Sequence, residues 1–268
     1  MRSLAAGLVT AVFALPLVFM VSGSLRRAGE PPPRHLELLP DPLVLGNYGR
    51  AFDLVDLGRY ALNSLLVAAL VVPLSVLVAS WAGFAISRLP RRWAAALVAA
   101  SFAAMMVPLT ALLVPRFAVF RALGLTDTYV PLVAPGLIAT SPFYVLVFAW
   151  AFRRVPRELY EACRLEGMTP FGVWRRVAMP LVRPVAVGVG VLAFVVSWGN
   201  FLDPLVYLFD ADLYTLPLGL RSLAQLDRTN FPLLLAGAVV ATAPVVAVFL
   251  LAQRFFLHEY RGAGWLGR

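Results

Sequence analysis

Six apolar stretches constrain this chain more than any other feature: Leu4–Ser22, Ser64–Ser87, Trp93–Pro115, Val130–Phe152, Val185–Tyr207 and Pro232–Gln253. Each runs about 19–24 residues, enough for a helix to cross a hydrocarbon core about 30 Å thick. Only Val185–Tyr207 contains a charged side chain, Asp203 near its end. The 268 residues are 61% hydrophobic and 14% charged, against about 45–50% and about 25% in ordinary soluble domains. The 21 Pro and 19 Gly suit the same reading. Membrane helices tolerate both, because neighbouring helices, Ser/Thr side chains and waters re-satisfy the freed backbone groups. The expected fold is all-α, a six-span polytopic membrane protein with no separate soluble domain.

Residue types exclude most chemistry. All 23 basic residues are Arg. Without Lys there is no Walker A phosphate loop and no Schiff-base lysine. Cys163 is the single cysteine, so neither an intrachain disulfide nor a Cys-rich metal site is available. His35 and His258 fall in different non-membrane segments, and no H-E-x-x-H or G-x-S-x-G occurs. The expectation is a non-enzyme with no catalytic, cofactor-binding or metal residues.

Arginine placement gives the orientation. With both termini cytoplasmic, the inner segments hold 14 Arg and 4 acids, a net of +10; the outer ones hold 9 Arg and 10 acids, a net of −1. Topology therefore accounts for the overall +9 without a nucleic-acid partner. The first stretch also has signal-peptide features, Arg2 before it and Val21-Ser22-Gly23 after it, but its apolar run exceeds the usual core of about 7–15 residues. It reads as an uncleaved first helix. The outer segment Gly23–Asn63 carries a stiff Pro31-Pro32-Pro33, turn signals at Asp41-Pro42 and Gly46-Asn47, and His35 as a solvated loop residue.

The inner segment 153–184 is too long and too ordered for a simple turn. Pro156 can open a helix and Glu158 suits its first turn. Leu159, Ala162, Cys163 and Glu166 recur at i, i+3, i+4 and i+7. Gly167 can end the helix in the left-handed conformation. Thr169-Pro170 then opens a second helix to about Met179. A first helix of about 10 residues is marginal alone, so it docks on something. Two readings stay open on the residues: a partner protein, or anionic lipid beneath Arg153, Arg154 and Arg157.

The spacing Glu161-Ala162-Cys163-x-x-x-Gly167, nine residues, then Val177-x-Met179-Pro180 resembles E-A-A-x-x-x-G-x(9)-I-x-L-P. That motif marks the permease subunits of bacterial ABC importers. Cys163, Val177 and Met179 replace Ala, Ile and Leu. Asn47-Tyr48, Leu62-Asn63-Ser64, Leu123-Gly124-Leu125-x-Asp127-Thr128-Tyr129, Ser197-Trp198, Tyr214-Thr215-Leu216-Pro217-x-Gly219-Leu220 and Gln253-Arg254-Phe255-Phe256 resemble the six-span partner of the maltose-type sugar permeases. The resemblance covers nearly the whole chain. It implies a bacterial inner-membrane subunit that works with a second permease, two cytoplasmic ATPase subunits that bind ATP and Mg, and an external solute-binding protein. It implies further that Glu161, Ala162, Cys163, Gly167 and Pro180 couple the chain to the ATPase, with Ala162 and Cys163 packing against it.

The fifth stretch has the most polar interior, Ser197-Trp198-Gly199-Asn200-Phe201-Leu202-Asp203-Pro204. Trp198, Asn200, Phe201, Asp203 and Tyr207 can supply the aromatic faces, amides and carboxylates that bind sugars. An aromatic belt at a polar helix end is the other reading. The family's W-N-[DE]-F-x-W-P is not kept at Gly199, Asn200 and Asp203. The alanines from Ala94 to Ala104, and Gly237-x-x-x-Ala241, are expected to pack within the subunit. Met105, Met106 and Pro108 predict a kink. A glycerophosphodiester or other polyol cargo is the nearest rival substrate. An ion-coupled secondary transporter would carry more buried acids or histidines than Asp203 alone.

Overall fold

The apolar stretches fold as helices, and no strand occurs among the described residues. The structure is a computed structural model that describes residues 2–30, 39–138, 140–227 and 230–257. The expectations placed on Pro31-Pro32-Pro33, His35 and His258 lie outside them.

Residues 1–64 and 210–246 form one compact unit. It contains α1 (Arg2–Ser24), α2 (Gly46–Leu54), the first turns of α3 (Leu57–Arg88), α13 (Leu216–Leu226) and most of α14 (Phe231–Leu257). The turn expected at Gly46-Asn47 is instead the start of α2. Asn47 is fully buried, and its amide donates to the Ser24 and Arg26 carbonyls at 2.8 and 2.7 Å. The Tyr48 and Ser24 hydroxyls share a bond of 2.7 Å. These bonds fix α2 to the end of α1. The start of α3 is tied in the same way. The Asn63 amide donates to the Asp212 and Tyr214 carbonyls, the Ser64 hydroxyl accepts the Leu216 N–H, and Arg59 pairs with Asp212. Helix α13 went unread in the sequence. Gly237 is buried where an added Cβ would meet Leu220 and Leu223 of α13, so this small residue does pack within its own unit.

Residues 65–209 and 247–268 form the second unit. It holds the rest of α3, then α4 (Arg91–Met105), α5 (Leu113–Ala122), α6 (Val130–Ile138), α7 (Pro142–Arg154), α8 (Arg157–Leu165), α9 (Pro170–Val173), α10 (Met179–Leu181), α11 (Arg183–Trp198) and α12 (Leu202–Tyr207). Its core gathers Ala79, Ile86, Phe148, Phe152, Tyr160 and Trp174. Helices α3 and α7 touch at Gly83, where an added Cβ would lie 2.6 Å from Phe148 Cβ and 2.8 Å from the Ala149 nitrogen. Only a residue without Cβ permits that approach.

Among the described residues, four helical stretches are long and apolar enough to cross a membrane, and up to six if each bent pair is one span. The kink expected near Pro108 is an 83° bend between Arg91–Met105 and Leu109–Ala122. Two sequence expectations need correction. The fifth stretch is not one helix from Val185 to Tyr207: α11 stops at Trp198 and α12 starts at Leu202. The alanine face of α4 does not pack within the chain either, since only Ala94 among those alanines is buried. A helix apolar on every side gives no moment to say which face turns inward.

Candidate functional site: the α7–α11 connection and the break in the fifth stretch

Helix α7 ends because Pro156 forces Val155 into an extended conformation, φ −67° and ψ 129°. Pro156 then caps α8 from just outside rather than occupying its first turn. Glu158 in the first turn and Arg164 in the last complement the helix dipole. The far end is closed by Gly167 at φ 71°. The Gly167 N–H donates to the Arg164 carbonyl and the Met168 N–H to the Cys163 carbonyl, both at 3.0 Å. This pair of bonds is the Schellman closure that favours glycine. Thr169 follows as an N-cap, its hydroxyl accepting the Gly172 N–H at 3.1 Å, with Pro170 at the first helical position. The second helix does not run as a plain α-helix. Between α9 and α10, Trp174–Ala178 form a π-turn in which the Met179 N–H reaches back to the Trp174 carbonyl.

The face that α8 turns inward carries Tyr160, 2% exposed, and Cys163, 7% exposed. Leu159, Glu161, Ala162, Glu166 and Leu165, the last 90% exposed, stay outside. The sequence period placed Cys163 on a shared face with Ala162; the structure separates them, and Cys163 packs inside its own chain. Tyr160, which the sequence reading missed, is the anchor. Its hydroxyl donates to the Phe152 carbonyl at 3.3 Å. The Arg88 guanidinium lies 4.2 Å from the ring centroid, and Phe84 packs at 6.1 Å. Burial pushes the phenol up to about 12, with Arg88 opposing that shift and Cys163 adding to it. Trp174 packs edge-on to Trp81 at 5.6 Å and beside Phe171 at 5.5 Å. Pro180 sits within α10, next to Met179.

In the fifth stretch Gly199 closes α11 by donating to the Val195 carbonyl at 3.0 Å. The Asn200 side chain then starts α12: its oxygen accepts the Asp203 N–H at 3.2 Å, and its amide donates to the Asp203 carboxylate at 3.0 Å. Arg116 of α5 reaches the other carboxylate oxygen at 3.3 Å and donates to the Pro131 carbonyl of α6 at 3.4 Å. Arg116 also lies 5.8 Å from the centroid of the fully buried Tyr207 ring, which packs on Phe117 and Phe120. Trp198 is buried and stacks on Phe194 at 5.5 Å. Asn200, Phe201 and Asp203 are partly exposed. The break thus brings Asn200 and Asp203 together and directs Trp198 and Tyr207 into the chain's own packing. Sequence reading missed Arg116. Its signal was an opposite charge at the end of another apolar stretch, the usual partner for an acid near membrane depth.

The family model described as "Binding-protein-dependent transport system inner membrane component" matches residues 71–261. This chain belongs to that family. It is an ABC transporter permease, an inner-membrane component and not an enzyme, and permeases of this kind carry no cofactor of their own. Among relatives, the arabinooligosaccharides transport system permease protein AraQ of Halalkalibacterium halodurans is 30% identical, covering 92% of this chain and 88% of that protein. The sulfoquinovosyl glycerol transport system permease protein SmoH of Agrobacterium fabrum is also 30% identical, covering 100% and 94%. A chain in the crystal structure of a bacterial ABC transporter involved in the import of the acidic polysaccharide alginate superposes with a TM-score of 0.76 at 20% identity, covering 95% of each chain. That likeness shows a shared fold. The family is named for its dependence on a binding protein, so such a permease works within an assembly rather than alone.

Proposed function

We propose that this permease forms half of the translocation pathway of an ABC importer for a carbohydrate. It works with a second homologous permease, a cytoplasmic ATPase dimer that binds ATP and Mg, and an external solute-binding protein. The Arg asymmetry supports a cytoplasmic placement of both termini and of the 153–184 segment, which acts as the coupling loop. The observation that carries this is α8 itself: a short helix anchored inward by Tyr160, closed by Gly167, and presenting Glu161, Ala162 and Leu165 outward. An exposed Leu165 beside an acid is the kind of surface a partner groove covers. In this reading Glu161 and Ala162 touch the ATPase, while Cys163, Gly167 and Pro180 set the geometry behind them.

The relatives' names support a sugar cargo: arabinooligosaccharides, lactose and trehalose recur among them. SmoH is named for a glycerol glycoside, which keeps a polyol-bearing cargo as the second reading. Within the chain, Asn200 and Phe201 are the candidates for direct contact with the solute, and Trp198, Asp203 and Tyr207 shape the wall behind them. The test is uptake by the complete complex in proteoliposomes. Retention of labelled oligosaccharide, driven by ATP and dependent on the binding protein, is the expected result. Uptake of glycerophosphodiesters in preference to any sugar would overturn the cargo assignment.

A further inference from the structure

We propose that the end of α3 is the arm that carries the coupling loop's displacement into the membrane, with Arg88 and Trp81 as positioning residues. The proposal rests on the reading of α8 as the ATPase-facing helix.

Trp81, Phe84 and Arg88 are spaced i, i+3 and i+7, so they lie on one face of α3. That face holds both limbs of the loop. Arg88 and Phe84 hold Tyr160 on the limb before Gly167, at 4.2 and 6.1 Å. Trp81 holds Trp174 on the limb after it, at 5.6 Å. The Gly167 turn between the limbs is closed by its own hydrogen bonds. A turn gripped on both sides by one helix moves with that helix. A single contact would only have stabilised the loop.

The far side of the arm is equally well joined. Phe84 packs edge-on to Phe152 at 5.4 Å, and Tyr160 bonds to the Phe152 carbonyl, so α7 belongs to the same body. The backbone approach at Gly83 prevents α3 from sliding on α7. Displacing α8 by pushing on Glu161 and Ala162 therefore displaces α3 and α7, which continue into the apolar stretches.

The complete reconstituted importer tests the arm. Arg88→Ala removes the cation from the Tyr160 ring. It leaves ATPase assembly and ATP turnover within about twofold of wild type, because the Arg88 guanidinium is engaged on Tyr160 of its own chain. Uptake per ATP hydrolysed falls roughly two- to thirtyfold, the range that mutations along a coupled network produce. Arg88→Lys, which keeps a cation over the ring, restores most of the ratio. Combining Arg88→Ala with Tyr160→Leu lowers the ratio no further than the worse single variant, because both break one joint. Trp81→Leu, at the second grip, gives the same signature and stands if Tyr160→Leu fails to assemble. An unchanged ratio in Arg88→Ala and Trp81→Leu overturns the arm. So does a loss of uptake that only tracks lost ATPase binding. A Glu161→Cys cross-link to the ATPase separates the two readings: its absence overturns the docking of α8, and its presence with a normal uptake ratio in Arg88→Ala overturns the arm alone.

Discussion

Gly83→Ala tests whether the α3–α7 approach is as close as described. An added Cβ would lie 2.6 Å from Phe148 Cβ, 2.8 Å from the Ala149 nitrogen and 2.9 Å from the Val145 oxygen. Two of these three atoms are backbone, so no change of rotamer relieves the clash. Relaxing to ordinary contact at about 3.5–4.0 Å requires the helices to part by roughly 1 Å, which loosens every neighbouring contact. Overpacking of this kind costs about 1–3 kcal/mol. Removing a helix-interior glycine returns about 0.5–1 kcal/mol. The expected net loss is therefore about 0.5–2 kcal/mol. Gly190 in α11 is the internal control: its added Cβ would meet Val72 and Val76 at 3.8 and 3.9 Å, ordinary packing. Gly190→Ala is expected to be neutral or slightly stabilising. Thermal unfolding of the purified complex in detergent, followed as loss of monodisperse protein, compares the two. Equal midpoints would refute the close approach and the arm built on it.

Arg116 and Asp203 are 24% and 17% exposed. Arg116→Leu strands most of the carboxylate's compensation, costing about 1–3 kcal/mol, and Arg116→Leu with Asp203→Leu recovers part of it in the same unfolding assay. Gly167→Val forces a β-branched residue to φ 71°, a strain of roughly 1–3 kcal/mol. That variant is expected to insert at normal levels yet lose uptake and substrate-stimulated ATPase activity together. Wild-type stimulation in it would refute the coupling assignment. Tyr160 titrates at about 12 in the fold, above the ordinary phenol value. Raised in the folded state, it contributes stability that is complete below about pH 10 and is lost as pH rises towards 12. Tyr160→Phe therefore flattens the fall of melting temperature over that window, read by scanning pH.

Much of the local structure was legible because it depends on neighbours in sequence. Gly167 ends α8, Thr169 caps α9 and the chain bends near Pro108, each as its residue chemistry dictates. What escaped depends on distant partners. Gly46-Asn47 reads as a turn until the Asn47 amide finds the Ser24 and Arg26 carbonyls. Tyr160 stands outside the period Leu159, Ala162, Cys163 and Glu166, and it turns inward because Arg88 and the Phe152 carbonyl satisfy both its face and its hydroxyl. The break at Gly199 was hidden inside an apolar run. Only the Asn200–Asp203 bonds and Arg116 make ending a helix there favourable. The Glu161–Pro180 spacing was readable as a family signature, yet it did not say which side of α8 faces the chain's own core.

The π-turn at Trp174–Ala178 bears on which lengths this loop tolerates. A π-turn is an α-helix holding one residue too many. Deleting a single residue between Gly167 and Pro180 would let the helix return to its regular ladder without breaking it. Because the surplus residue is held as a local bulge, the helix on either side of Trp174–Ala178 keeps its phase when that residue is lost. A further inserted residue has no such relief and would turn Trp174 and everything before it by about 100° off Trp81. The loop thus tolerates the loss of one residue within Trp174–Ala178 more readily than the gain of one.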